Sequence, residues 1–155
     1  MSNSIQQRLQ AAGIELPEAP APVAAYVGYV EHNKIVTVSG QLPFVDGALL
    51  HTGLLGDSVS VEQGAAAARQ CAINLLAQMS AACDGDLERI VRCIRLGGFV
   101  ASTPSFTDHP KVVNGASELI GEILGDAGIH ARAAVGVAAL PMNAAVEVEG
   151  MFAIR

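Results

Sequence analysis

The carboxyl-terminal segment, residues 131–155, reads ARAAVGVAALPMNAAVEVEGMFAIR and decides the expected fold. Side chains alternate in character over residues 131–139 and 145–154, which predicts two strands. The link over residues 140–143 (LPMN) contains a proline, which is typical of a turn. The segment therefore predicts a terminal β-hairpin.

Charged residues of this hairpin are the first candidates for a functional site. Glu147 and Glu149 share one face of the last strand, because side chains alternate between the two faces. Arg132 of the preceding strand is expected on the same face, beside Ala134 and Gly136. These small neighbours leave room for a ligand, and a guanidinium binds a carboxylate through two parallel hydrogen bonds. The alternative is a set of solvated cross-strand ion pairs, which contribute little to stability.

The expected hairpin register keeps the arginine and the first glutamate apart. Arg132 would face Ala153, and Glu147 would face Ala138. The two charged groups would lie about 20 Å apart, at about 3.3 Å per residue. If they serve one site, two different subunits must supply them.

The rest of the chain predicts a single α+β domain of the order ββ(β)αβαββ, with two helices on one face of a sheet. Ser60 and Gln63 form a capping box that begins the first of these helices. The predicted elements are a helix over residues 4–12, a connector with Pro17, Pro20 and Pro22, strands over 25–30 and 34–39, edge strands within 40–56, a helix from 60 to about 82, a strand over 90–96 and a helix that begins after Thr107 or Asp108. Residues 1–23 are expected to form an extension and residues 24–155 the domain.

Composition narrows the classes of function. Apolar residues make up 51% of the chain and charged residues only 15%, against a usual charged share of about 25%. So few charges predict that apolar surface is buried between subunits. The net charge of −6 argues against nucleic-acid binding, which normally requires a basic surface.

Cysteine and histidine spacing predicts neither a disulfide framework nor a metal site. The three cysteines, Cys71, Cys83 and Cys93, form no CxxC pair, so we expect a reducing cytoplasm. The four histidines lack the spacing of zinc ligands. His109 and His130 are expected at the surface near helix ends. We also expect no signal peptide and no membrane span.

Several motifs resemble those of one family. Residues 131–155 resemble the carboxyl-terminal signature of the RidA/YjgF family of reactive-intermediate deaminases, which runs R-x-C-V-x-V-A-x-L-P and then V-E-I-E-A. This family is also labelled endoribonuclease L-PSP-like and is related in fold to chorismate mutase. Residues 38–43 (VSGQLP) match its S-G-Q-I/L-P motif, and the similarity covers about residues 24–155. Further matching positions are Tyr26, Ala68, Arg69, Gln70, Asn74, Val113, Asn114 and Glu118.

The resemblance implies a homotrimer with a central barrel, external helices and a ligand cleft between each pair of subunits. In each cleft Arg132 would hold the carboxylate of a 2-imino acid, and Glu147 would position the attacking water. Hydrolysis of the imine would release ammonia and a 2-keto acid, with no cofactor or metal. The remaining implied ligand contacts are Tyr26, Ser39, Gly40, Asn114 and Ala134.

Three positions depart from the family pattern. Ala134 replaces the family cysteine, Gly136 replaces a common glutamate and Ser117 replaces a common aromatic residue. Loss of the thiol leaves open a second function, a trimer that binds small carboxylates without turning them over. A ribonuclease, the third possibility, is disfavoured by the acidic net charge and by the absence of a His/Lys cluster.

Overall fold

A five-stranded mixed sheet with helices packed on one side of it forms the body of the chain. A computed structural model of the protein describes residues 4–21 and 25–155. The predicted connector residue Pro22 and the predicted boundary between residues 23 and 24 lie outside these ranges. The elements are α1 (Ile5–Ala11), β1 (Tyr29–His32), β2 (Ile35–Gln41), β3 (Phe44–Val45), β4 (Ala48–Leu49), α2 (Val61–Ala82), β5 (Ile90–Ala101), α3 (His109–Leu124), β6 (Ala131–Val137) and β7 (Val146–Ile154).

Local signals define the first two helices. The Ser60 hydroxyl accepts a hydrogen bond from the Gln63 amide at 3.1 Å, and the Gln63 side chain accepts one from the Ser60 amide at 3.0 Å. This reciprocal capping box begins α2 and confirms the prediction. Ser4 and Gln7 form a second box at α1. Leu9 of α1 is buried, so this helix packs on the same core as the rest of the chain.

The principal sheet has the strand order β1-β2-β7-β5-β6. Strand β7 pairs antiparallel with both β2 and β5, whereas β6 pairs parallel with β5. The predicted terminal hairpin is therefore wrong, because β5 lies between β6 and β7. Helix α3 is the reason: a helical crossover brings the chain back in the same direction as the preceding strand, so β5, α3 and β6 form a βαβ unit. The short strands β3 and β4 form a separate two-stranded sheet.

This topology also corrects the expected position of Arg132. Arg132 pairs with Leu96, which is fully buried beneath the helices, so Arg132 points toward the helix side of the sheet. Glu147 pairs with Phe99 at a position of opposite parity and points to the other side. The prediction that Arg132 and Glu147 share a face is wrong, as is the register that set Arg132 opposite Ala153.

The core lies between the sheet and helices α2 and α3. Alanine and glycine let the two helices approach closely: a Cβ atom built on Gly115 of α3 would collide with the Ala65 carbonyl of α2. Cys71 of α2 is fully buried beneath them, where its thiol donates to the Val146 carbonyl. No helix of the described residues packs on the other sheet face, which we call the open face. It is lined by Thr37, Arg95, Phe99, Val135, Glu147 and Glu149.

Candidate functional site

Arg132 is anchored to one stripe of helix α3. Its Nη1 donates to Asn114 Oδ1 at 2.8 Å and to Ser117 Oγ at 3.1 Å, and its Nη2 donates to the Pro110 carbonyl at 3.4 Å. Residues 110, 114 and 117 follow helical spacing, so all three acceptors face β6. The guanidinium is therefore held by the helix that packs beside its strand.

Part of the guanidinium remains available for a ligand. An arginine has five N–H donors in a fixed plane, and α3 accepts from both hydrogens of Nη1 and one of Nη2. Within the described ranges no residue accepts from Nε. This nitrogen and the second hydrogen of Nη2 are suited to a carboxylate. Ala134 lies two residues along on the same side of β6, where its small side chain adds little bulk.

Ser117 is itself held by a histidine. Its hydroxyl is 2.9 Å from Nε2 of His130, and Nδ1 of that ring is 2.5 Å from the Gly128 carbonyl. His130 is half-buried and hydrogen-bonded through both ring nitrogens, so its expected role as a surface group is wrong. Sequence reasoning missed this pair, because no short-range pattern connects residue 117 with residue 130. The unusual Ser117 was the one available signal.

Glu147 lies on the open face and packs against a bulge in β2. The pairing of β2 with β7 shifts by one residue between Val38 and Gln41, which leaves Ser39 and Gly40 in the bulge. A Cβ atom built on Gly40 would collide with Oε1 of Glu147, so only glycine lets the carboxylate occupy this position.

Burial tunes the acidity of this carboxyl group. Partial burial raises the pKa of Glu147 above its usual value, and the nearby negative charge of Glu149 raises it further. A raised pKa suits a group that must take up and release a proton near neutral pH. Glu149 has a different partner, because it forms an ion pair with Arg95 at 3.2 Å.

The remaining predicted contacts divide between the two faces. Asn114 lies with Arg132 on the helix side, whereas Ser39 and Gly40 lie near Glu147. The Ser39 hydroxyl donates to the Val27 carbonyl at 2.6 Å, and the Ser39 amide donates to the Gly28 carbonyl. Both donors of Ser39 are therefore occupied, and only its hydroxyl lone pairs remain for a ligand.

Tyr26 lies outside the strand in which it was expected. The prediction put it in the first strand, but β1 begins three residues later, at Tyr29. The Tyr26 side chain is 65% exposed. The segment that follows it is tied to the β2 bulge, because the Val27 and Gly28 carbonyls accept hydrogen bonds from Ser39.

The described residues lack two features that other classes of function require. Across residues 4–21 and 25–155, the histidine, cysteine and acidic side chains nowhere cluster in threes as a metal site requires. Over the same ranges, none of the helices combines the length and apolar character needed to cross a bilayer.

Comparison with known proteins places the chain in a family. The family model described as "YjgF/chorismate_mutase-like, putative endoribonuclease" matches residues 6–153. The chain belongs to this family. The YjgF match begins inside α1 and ends inside β7, so it spans both the Arg132 and the Glu147 regions.

Individual YjgF relatives are similar over nearly the whole chain. Protein TCP17 of Trypanosoma cruzi is 50% identical over 151 residues, which cover 97% of this chain and 94% of the relative. The crystal structure of Atu1372 from Agrobacterium tumefaciens, titled as a protein of unknown function, is 48% identical with a TM-score of 0.92 and coverage of 97% and 92%. A structure titled "putative endoribonuclease" from Shewanella oneidensis MR-1 is 38% identical with a TM-score of 0.94 and coverage of 98% and 100%.

A more distant structure with the same fold contains a small ligand. Escherichia coli TdcF with bound serine has a TM-score of 0.61 and 22% identity, with coverage of 89% of this chain and 94% of that chain. At this level of identity the likeness shows the fold alone.

Proposed function

We propose that the chain assembles as a homotrimer and hydrolyses 2-imino acids to 2-keto acids and ammonia. Each cleft would combine Arg132 of one subunit with Glu147 of its neighbour. The observation that carries this proposal is that the two side chains lie on opposite faces of the same sheet. One chain cannot present both to a small ligand, so a shared site requires two chains.

Arg132 supplies the binding half of the site. A 2-imino acid has its carboxylate next to the C=N carbon, so a clamp on the carboxylate fixes the reacting carbon in space. The free Nε–H and Nη2–H of Arg132 form the fork for that clamp. The serine bound to TdcF is also a small molecule with a carboxylate, which agrees with a ligand of this class.

Glu147 supplies the proton-transfer half of the site. The carboxylate takes a proton from water while the water oxygen forms a bond to the imine carbon and the C=N π pair moves to nitrogen. The proton then passes to that nitrogen, which gives an amino alcohol. The carboxylate next takes the hydroxyl proton and delivers it to the nitrogen as the C–N bond breaks, so ammonia leaves and the oxygen becomes the keto oxygen. The raised pKa of Glu147 favours these transfers at neutral pH.

The open face supports burial between subunits. It carries Val135, which is 46% exposed, together with Phe99. Only 15% of the whole chain is charged, which leaves few side chains to keep such a face in water. In a trimer the three open faces would pack together as a central barrel.

Mixed trimers test this proposal. Arg132→Ala and Glu147→Gln chains, coexpressed with different tags and purified through both, form trimers that contain both variants. In every such trimer one cleft of the three receives an intact Arg132 and an intact Glu147. We expect about one third of wild-type activity on imino acids generated in situ, while each variant alone is close to inactive.

Three results would contradict the proposal, each at a different point. Mixed trimers as inactive as the single variants would place both residues in one chain. A monomeric mass by light scattering would exclude the assembly itself. If the Arg132→Ala variant kept wild-type activity on every imino acid tried, the proposal that Arg132 binds a 2-imino acid substrate would be wrong.

Loss of the family thiol at Ala134 favours a second candidate, a trimer that binds small carboxylates without turnover. It predicts that 2-ketobutyrate raises the melting temperature of wild type but not of Arg132→Ala, with no keto acid formed from any imine. We propose a cytoplasmic location for either function, because the free cysteines are all buried and suit a reducing compartment. A ribonuclease is disfavoured by the net charge of −6.

A further inference from the structure

A line of hydrogen bonds runs from the guanidinium of Arg132 to the loop that precedes β6. It passes through the Ser117 hydroxyl and the His130 imidazole and ends on the Gly128 carbonyl. Ser117 is half-buried between strand and helix, and so is His130. The line therefore lies beside the proposed carboxylate clamp and is partly shielded from solvent.

While His130 is neutral, each bond in this line has a single direction. A carbonyl only accepts, so the His130 Nδ1 that contacts the Gly128 carbonyl must carry the proton. Nε2 of the neutral ring is then an acceptor, and the Ser117 hydroxyl must donate to it. That leaves the lone pairs of Ser117 Oγ to accept from Nη1 of Arg132. The histidine thus orients the serine, and the serine orients the arginine.

We propose that Ser117 and His130 are positioning residues that set the plane of the Arg132 guanidinium for a carboxylate ligand. This inference rests on the proposed function, because it assigns a role to groups behind the same arginine. Arg132 has a long side chain with many rotamers, and fixing them before the ligand arrives lowers the entropy cost of binding.

Ser117 matters because it occupies the second hydrogen of Nη1. Asn114 accepts from the first hydrogen at 2.8 Å, and Ser117 accepts from the second at 3.1 Å. Because both Nη1 hydrogens are bonded, any rotation of the planar guanidinium group breaks at least one of these two hydrogen bonds. Without Ser117, the Asn114 contact and the long contact to the Pro110 carbonyl remain, and the free edge is held less firmly.

The chain offers a matched control for a purely structural effect. Ser102 Oγ lies 3.0 Å from Nε2 of His109, a second Ser–His hydrogen bond of almost the same length. It also ties a residue near the end of β5 to helix α3, but neither partner is hydrogen-bonded to Arg132. Ser102→Ala therefore removes a similar tertiary bond without removing a hydrogen bond of the arginine or of its partners.

The experiment compares Ser117→Ala, Ser117→Thr, His130→Leu and Ser102→Ala with wild type. The dissociation constant for 2-ketobutyrate is measured by calorimetry, and KM and kcat are measured with imino acids generated in situ. We expect Ser117→Ala and His130→Leu to raise KM and the dissociation constant about tenfold, as for a lost hydrogen bond to a charged group. Neither variant should change kcat appreciably. Ser117→Thr keeps the hydroxyl, so its KM should stay close to that of wild type. Ser102→Ala should lower the melting temperature without raising KM.

The outcomes separate this inference from the proposed function. If Arg132→Ala binds 2-ketobutyrate as wild type does, the proposed function fails and the positioning role fails with it. If Arg132→Ala loses binding while Ser117→Ala and His130→Leu keep it, only the positioning role is overturned. An equal rise in KM for Ser117→Ala and Ser102→Ala would show a general effect of destabilisation and would also overturn it.

Discussion

The two sides of the sheet hold their key charged groups in different ways. On the helix side, α3 supplies three acceptors to Arg132, and a histidine fixes one of them in turn. On the open face, Glu147 packs against Gly40, and none of the described residues offers it a hydrogen bond. The binding half of the proposed site is thus built within one chain, whereas the proton-transfer half depends on what covers the open face.

The position of each strand explains this difference. Strand β6 is at the edge of the sheet, where a long side chain can extend over the rim to reach α3. Strand β7 lies between β2 and β5, so a side chain on its open face has only sheet neighbours. Glu147 is therefore partly buried by its own sheet without gaining a partner, which is why its pKa rises.

Glu147→Gln should have the largest effect, because it should lower turnover while leaving ligand binding at Arg132 intact. Glutamine keeps the shape of the side chain but cannot take a proton from water, so we expect kcat to fall by about 10²–10⁴-fold. Binding of 2-ketobutyrate should change little, because Arg132 is untouched. Calorimetry and turnover measure the two effects, and Glu122→Gln, which breaks the exposed ion pair with Arg69, is the control. A normal kcat in Glu147→Gln would show that Glu147 does not transfer protons in the reaction.

Gly40→Ala should act on the open face alone, with a smaller effect. Gly40 does not have a positive φ, so alanine fits the backbone, but its Cβ would displace Oε1 of Glu147. We expect kcat to fall about tenfold as the carboxylate moves. Gly121→Ala on α3 is the control, because nothing lies within 4 Å of its added Cβ. Equal kcat in both variants would mean that the bulge does not position the carboxylate.

The pH dependence of stability should show the smallest difference. The raised pKa of Glu147 lets the folded state keep a proton over a range in which the unfolded state has lost it. The contribution of Glu147 to stability therefore decreases as the pH rises from the usual glutamate range, about pH 4, through the raised pKa. Glutamine does not titrate, so the Glu147→Gln variant does not lose this stability. Its melting temperature should therefore rise relative to that of wild type as the pH approaches neutrality. Glu118→Gln, at an exposed position on α3, is the control, and parallel curves for all three proteins would contradict the shift.

Local patterns predicted the elements well, because their causes are local. The Ser60–Gln63 capping box lies within one helical turn, so it could be predicted from neighbouring residues. The alternation along β6 was also correct: Arg132, Ala134 and Gly136 do share a face. The error concerned which face of β6 is covered. Both faces are apolar or small, and Val135, which would suit a core, lies on the open face.

The sequence by itself determined the α+β class, the Ser60–Gln63 cap of α2, the family motifs and the identity of the two charged candidates. Tertiary structure alone decided that β5 separates β6 from β7, that Arg132 points toward α3, and that Ser117 and His130 stand behind it. The physical reason is the sequence separation between the residues that determine each feature. Caps and periodicity depend on residues within one or two turns, whereas strand order depends on a crossover helix and on which partner completes each backbone ladder. The strand order in turn determines which side of the sheet each residue faces.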